Sequence, residues 1–356
     1  MINHNNELYL QLQFSLNRDR EFEESDKYEG FLEGILSKKE YQEVDTYYIC
    51  SAKAENFIKF INNKAIIIWD FNYWKYFKEY LIQTENCKKN GSNITQCITC
   101  VFTDFLSKKY QNIKEISSFL KQIKDNFGED VNLPSEKYRK IDGVLLVCKC
   151  FAFFHELGHL EYKKNSNEKI IACKEIVLDF LEPLKEENFQ ELGYWMNLCW
   201  ETVLAIRDGQ LESVLEEMVA DVFGIVSTVN YFFASNKNNS IKKICDIIIA
   251  IENLSTFQTL FNAINKAWDS HYTEMKFKLK PKSKQPDQCV NRLALARGGL
   301  DGLMLVVVVC KILGLEKSDV EVLWECRDNN HIDTQSIIDC LADDEFICTA
   351  IQEAMN

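Results

Sequence analysis

FAFFHELGHL, residues Phe151 to Leu160, is the stretch that orders the rest of this 356-residue chain. The twelve residues from Gly143 to Phe154, GVLLVCKCFAFF, lead into it without a proline and suit a buried helix. On a helix His155 and His159 stand four residues apart, on one face and about one turn from each other. Two imidazoles so placed can reach one tetrahedral ion through ring nitrogens at about 2.0–2.1 Å. Glu156 follows the first imidazole, where its carboxylate can take a proton from water activated by that ion. Gly158 costs a helix about 1 kcal/mol, which is intelligible where bulk would block the cleft side. The bland alternative is a pair of core or surface histidines. Against it, two of the five histidines fall in this one HExxH pattern.

A catalytic ion needs a third protein ligand and an open position. Downstream, LEEMVADVFG (Leu215 to Gly224) holds Glu217 and Asp221 in an ExxAD spacing, again one helical turn apart. Glu217 is the candidate third ligand. Asp221 can accept from the second ring nitrogen of His155 and fix its tautomer. Glu216 competes for the ligand role, but only Glu217 has the aspartate partner. The small Ala220 permits close packing of the two helices. A solvated acidic helix edge is the structural alternative.

HELGH followed by ExxAD resembles the gluzincin group of zinc metallopeptidases. That resemblance implies a zinc cofactor, His155, His159 and Glu217 as ligands, Glu156 as general base and Asp221 as the residue orienting a ligand. The upstream strand-then-aromatic-helix segment IIIWDFNYWKYF, Ile66 to Phe77, is similar to that of the Lit-type phage-exclusion peptidases of bacteria. The Lit-type resemblance implies a latent cytoplasmic endopeptidase that cleaves a protein or peptide substrate once a trigger peptide or protein activates it. The alternative is a regulatory or binding protein with little turnover, similar to the metallopeptidase-like partners of phage and mobile-element repressors. Gluzincins often supply an oxyanion donor from a later segment. His271 and Tyr272 in DSHYTEM are candidates here, with an exposed loop histidine as the alternative. Arg292 in QPDQCVNRLALAR is a further candidate, although Gln285-Pro286 stands where related peptidases carry His-Pro.

Composition sets the frame. The net charge of -13 makes nucleic acid a poor partner, and the basic run Lys276 to Lys284 reads as a solvated loop or hairpin rather than a phosphate-binding groove. The longest apolar run, Leu303 to Cys310, is far short of a bilayer span, so no membrane is expected. No secretion signal is visible. The 14 cysteines are scattered, several of them inside apolar helical runs, as Cys173, Cys199, Cys245 and Cys310 are, and read as thiols of a reducing cytoplasm. Cys97 and Cys100 form a CxxC without a second metal-binding pair.

Few glycines and prolines favour long helices. Tyr47–Ser51 and Ala65–Trp69 read as strands, and the latter runs into an aromatic helix capped by Asp70 or Asn72. Helices are expected over Cys100–Lys124, Ile141–Tyr162, Glu168–Leu181, Gln190–Ile206, Leu211–Phe233, Ile241–Ala267 and Val290–Leu313, with an irregular segment over Trp268–Gln288. The fold class expected is α+β, predominantly α. It comprises an N-terminal α/β part (1–135), a helical catalytic zinc domain (136–300) and a C-terminal helical extension packed on it (301–356), with the polar stretch Asp125–Lys137 as the boundary.

Overall fold

The computed structural model describes residues 22–24, 29–36, 41, 44–51, 57–61, 64–91, 93–127, 131–164, 168–181, 212–233, 241–277, 308–311, 314–315, 317–328, 332, 337–338, 341–343 and 346–349. The chain is α+β and mostly helical, as its composition indicates.

Strands β1 (Phe22–Glu24), β2 (Val44–Ser51), β3 (Phe57–Ile61) and β4 (Lys64–Asp70) form one sheet in the order β1-β2-β4-β3. A short helix α1 (Gly30–Leu36) lies between β1 and β2 in the chain. β4 pairs parallel with β2 and antiparallel with β3, where Ile61 lies opposite Lys64. This inner strand is the AIIIW run, and all five residues are buried. A strand covered on both faces needs such a continuous apolar sequence rather than an alternating one.

β4 passes directly into α2 (Phe71–Asn90). Asp70 is fully buried and caps this helix, accepting the Asn72 main-chain N–H at 2.9 Å. It also accepts the Ser51 N–H at 3.2 Å and the Ser51 hydroxyl, which ties the end of β2 to the helix start. Asp70→Ala should therefore cost about 2–4 kcal/mol, because it removes a cap and strands several buried donors. A urea melt reads this directly, and a change under about 0.5 kcal/mol would contradict it.

The α2 aromatics interlock with α8 (Ile241–Phe277). Phe257 lies 5.3 Å from Phe77 and 5.5 Å from both Tyr73 and Tyr80, centroid to centroid. Phe261 lies 4.6 Å from Phe105 of α3 (Ile94–Lys109). The single helix expected over Cys100–Lys124 is instead two. α3 begins at the Asn93 cap, and α4 (Lys114–Phe127) follows a turn at Tyr110. Tyr110 fixes that turn by donating its hydroxyl to Asp269 at 2.9 Å and packing on Trp268. Cys97 of the CxxC is bonded to Cys87 of α2, while Cys100 is buried and in no disulfide. Cys148, Cys150, Cys173 and Cys245 are also buried and outside any disulfide.

α5 (Ser135–Lys164) carries the HELGH motif, and α6 (Glu168–Leu181) and α7 (Glu212–Phe233) follow. α8 continues ten residues beyond the expected end at Ala267, through His271 and Tyr272 to Phe277. No glycine or proline interrupts that stretch, and Trp268 is held by donation from its indole N–H to the Leu341 carbonyl at 3.0 Å. By length and composition Ile241–Tyr272 could cross a bilayer, a property the shorter Leu303–Cys310 run lacks. Some 61% of its most apolar window is buried inside the protein.

The polar stretch before residue 135 does end at a helix start, yet it does not divide two cores. Buried residues of the sheet, α2 to α5, α7 and α8 form one hydrophobic cluster. The C-terminal segment joins it through α9 (Lys317–Asp328) and through Phe346, which packs on Trp268 and Phe119. The helices expected over Gln190–Ile206 and most of Val290–Leu313 lie outside the described residues.

Candidate metal centre

The centre is built on the seam between α5 and α7. Gly158 makes the closest approach: a Cβ added there would lie 2.8 Å from the Ala220 Cα. Gly224 does the same against the Phe151 ring and the main-chain nitrogen of His155. Position 158 on α5 thus faces 220 on α7, and 151–155 faces 224, so the helices run antiparallel. The sequence reading placed Gly158 beside an open cleft. Its actual role is to let a second helix backbone in. That contact sets Glu216, Glu217 and Asp221 against the two imidazoles.

The ring nitrogens sort by side. The Nε2 atoms of His155 and His159 face each other at 3.1 Å. Glu217 presents one carboxylate oxygen to each, at 3.5 Å from His155 and 3.6 Å from His159. A tetrahedral ion with bonds of about 2.0–2.1 Å separates its ligand atoms by about 3.3–3.4 Å. The three contacts straddle that value. His155, His159 and Glu217 form a group able to hold a metal ion, the one such cluster among the described residues. The Nδ1 atoms point away from this triangle. His155 Nδ1 lies 2.6 Å from Asp221, which is nearly fully buried. Asp221 is therefore occupied behind the ring rather than acting as a fourth ligand.

Charge favours a cation at the same point. Four carboxylates, of Glu156, Glu216, Glu217 and Asp221, surround two imidazoles. Burial opposes charging His155, but Asp221, Glu217 and Glu156 outweigh it and hold the ring well above its ordinary pKa. His159 is likewise raised against burial, through Glu217 and Glu156. Surroundings that favour an imidazolium also favour a divalent ion in its place. Burial, with the nearby Glu217 carboxylate, holds Glu156 above its ordinary pKa, although both imidazoles and a main-chain hydrogen bond from Ile58 act to lower it. β3 thus touches the carboxylate next to the ligand pair. The sequence reading missed this strand, although FIKFI ahead of Asn62-Asn63 is a hairpin signal.

The other sequence candidates do not join this centre. The Cys148 thiol of α5 meets the Ala250 carbonyl of α8 at 3.0 Å. From there His155 is about 10 Å along α5, whereas His271 is about 30 Å along α8. Tyr272 packs on Tyr110, 5.4 Å between centroids, and His271 Nδ1 lies 3.0 Å from the Ala267 carbonyl of its own helix. Both stand at the far end of α8, where residues 268–277 of the expected irregular segment are helix and the rest of it lies outside the described residues. Arg292 lies outside the described residues.

Removing both imidazoles should remove the metal. A His155→Ala, His159→Ala double variant is expected to fall from one bound divalent ion per chain to none in elemental analysis. Full retention would place the ion elsewhere. Comparison of the chain with family models, with curated proteins and with solved structures gives no match, so its function is argued from the centre itself.

Proposed function

We propose that this chain is a zinc-dependent endopeptidase of the gluzincin kind that cleaves a protein or peptide substrate in the cytoplasm. The observation that carries the reading is the triangle of His155 Nε2, His159 Nε2 and a Glu217 oxygen pair, with Glu156 beside it. Two imidazoles and one carboxylate suit zinc, and a three-ligand set leaves a position for water or substrate. Zinc bound there would acidify a water and polarise a scissile carbonyl.

The chain's own groups do the rest. Glu156 accepts the proton of the attacking water on its carboxylate and returns it to the leaving amine. Its burial strengthens that exchange by keeping the carboxylate out of bulk solvent. Asp221 holds His155 in one tautomer. The buried thiols of Cys148, Cys150 and Cys173 suit a reducing compartment, whereas the Cys87–Cys97 disulfide does not.

The sequence resemblance to Lit-type enzymes supports a latent host-defence role, in which a trigger peptide or protein switches the protease on. A metallopeptidase-like binding protein is the rival. A fourth protein ligand would have favoured it, and none stands with the triad among the described residues. The test is a proteomic comparison of cells expressing wild type and Glu156→Gln. The peptidase reading expects one matched pair of fragments in wild type alone. Identical proteomes, with and without phage challenge, would favour the binding protein.

A further inference from the structure

Glu216 was open to two readings in the sequence, and the structure gives it a third. It is neither a ligand nor a mere surface acid. We propose that Glu216 is a positioning residue for His159: its carboxylate receives the Nδ1–H of that ring and holds the ring with Nε2 toward the metal. The proposal rests on the metal centre argued above and deepens it.

The geometry separates the two adjacent acids. Glu216 Oε1 lies 2.9 Å from His159 Nδ1, while Glu217 Oε1 lies 3.6 Å from His159 Nε2. Consecutive residues of α7 therefore grip opposite nitrogens of one imidazole. Successive side chains on a helix diverge by about 100°, so two neighbours can reach around a ring set between them. The cluster of convergent ligand atoms contains Glu217 and not Glu216.

His155 also has an acid on that side, the Asp221 carboxylate oxygen lying 2.6 Å from its Nδ1. Each ligand imidazole thus has its own carboxylate on the nitrogen turned away from the metal. Such a partner fixes the tautomer and makes the ring a stronger donor. The sequence signal for Asp221 was the ExxAD spacing. Glu216 precedes that motif, and only the antiparallel seam shows which nitrogen it meets. Lys163, one turn after His159 on α5, lies 3.9 Å from the same Glu216 oxygen and draws that carboxylate toward the α5 side.

The experiment measures zinc affinity against a chromophoric chelator for wild type, Glu216→Ala, Glu216→Gln and Glu217→Ala. Proton NMR of the imidazole N–H signals in the zinc-loaded chain accompanies it. Glu216→Ala should weaken zinc about 10–100-fold and abolish the protected His159 N–H signal, leaving that of His155. Glu216→Gln should fall between, because its amide oxygen still accepts a hydrogen bond. Glu217→Ala should lose zinc far more severely than either. Should Glu216→Ala fail to fold, the Gln variant still tests the point through an upfield shift of the His159 signal alone. Unchanged affinity with both N–H signals intact in Glu216→Ala overturns the assignment. Loss of zinc from Glu216→Ala with retention in Glu217→Ala overturns it too, by making Glu216 the ligand. A wild-type chain that binds no zinc overturns the metal centre together with this role, which distinguishes the two failures.

Discussion

Glu156→Gln is expected to bind metal at wild-type stoichiometry and to cleave substrate at least about 10³-fold more slowly. The substitution is nearly isosteric. Its amide oxygen still accepts the main-chain hydrogen bond from Ile58 that the carboxylate accepts. Neither ligand nitrogen is altered, so metal affinity should change little. What disappears is the carboxylate assigned as base, since Glu217 faces the Nε2 atoms and Asp221 and Glu216 lie against the Nδ1 atoms. The amide cannot take a proton from water at neutral pH, nor pass one to an amine. Measured as kcat on a cleaved peptide, the loss should appear with little change in KM. Turnover within tenfold of wild type, in a variant still loaded with metal, would place the base elsewhere and undo the mechanism.

Gly158→Ala should destabilise the protein, although alanine is the better helix former. The propensity gain is about 1 kcal/mol. Against it, the new Cβ would lie 2.8 Å from the Ala220 Cα and 3.1 Å from its carbonyl oxygen, both backbone atoms of a packed helix. Backbone cannot rotate aside, so α7 must move. Overpacking of this kind costs about 1–3 kcal/mol and occasionally more. Movement of α7 also carries Glu217 away from the imidazoles, so metal affinity should fall at least about tenfold. Gly143 on the same helix is the internal control. It is exposed, and a Cβ there meets nothing within 4 Å. Gly143→Ala should therefore stabilise by about 1 kcal/mol and leave the metal untouched. Thermal melts of the two variants should move in opposite directions. A rise in both would show that the α5–α7 seam has room to spare.

The centre was legible because its information is local. HExxH and ExxAD each place two side chains one turn apart, and helical geometry does not depend on the rest of the fold. His155, His159, Glu217 and Asp221 accordingly lie together. Legibility ended where a role depends on how two distant elements dock. Glu216 and Glu217 look alike in sequence, and Gly158 reads equally well as an open face or a packed one. β3 was missed because five residues carry little periodicity, and its contact with Glu156 crosses nearly a hundred residues of chain. The continuation of α8 through His271 was missed for a different reason. The Lys-rich, proline-containing tail beyond it suggested an early end, whereas the pairing of Trp268 with Leu341 and of Tyr110 with Asp269 holds the helix through that point. The break at Tyr110 has the same origin, since tertiary contacts override a run that propensity alone would continue.

The seam of α5 and α7 has an evolutionary corollary. Each helix contributes its share of the ligands from its own surface, and the two are registered by glycine contacts rather than by the chain that links them. A connector between two already docked elements can lengthen at a penalty of only about 0.6 kcal/mol per doubling. The number of residues between Leu181 and Glu212 can therefore change over generations without disturbing the two surfaces that bring the imidazoles and the acids together.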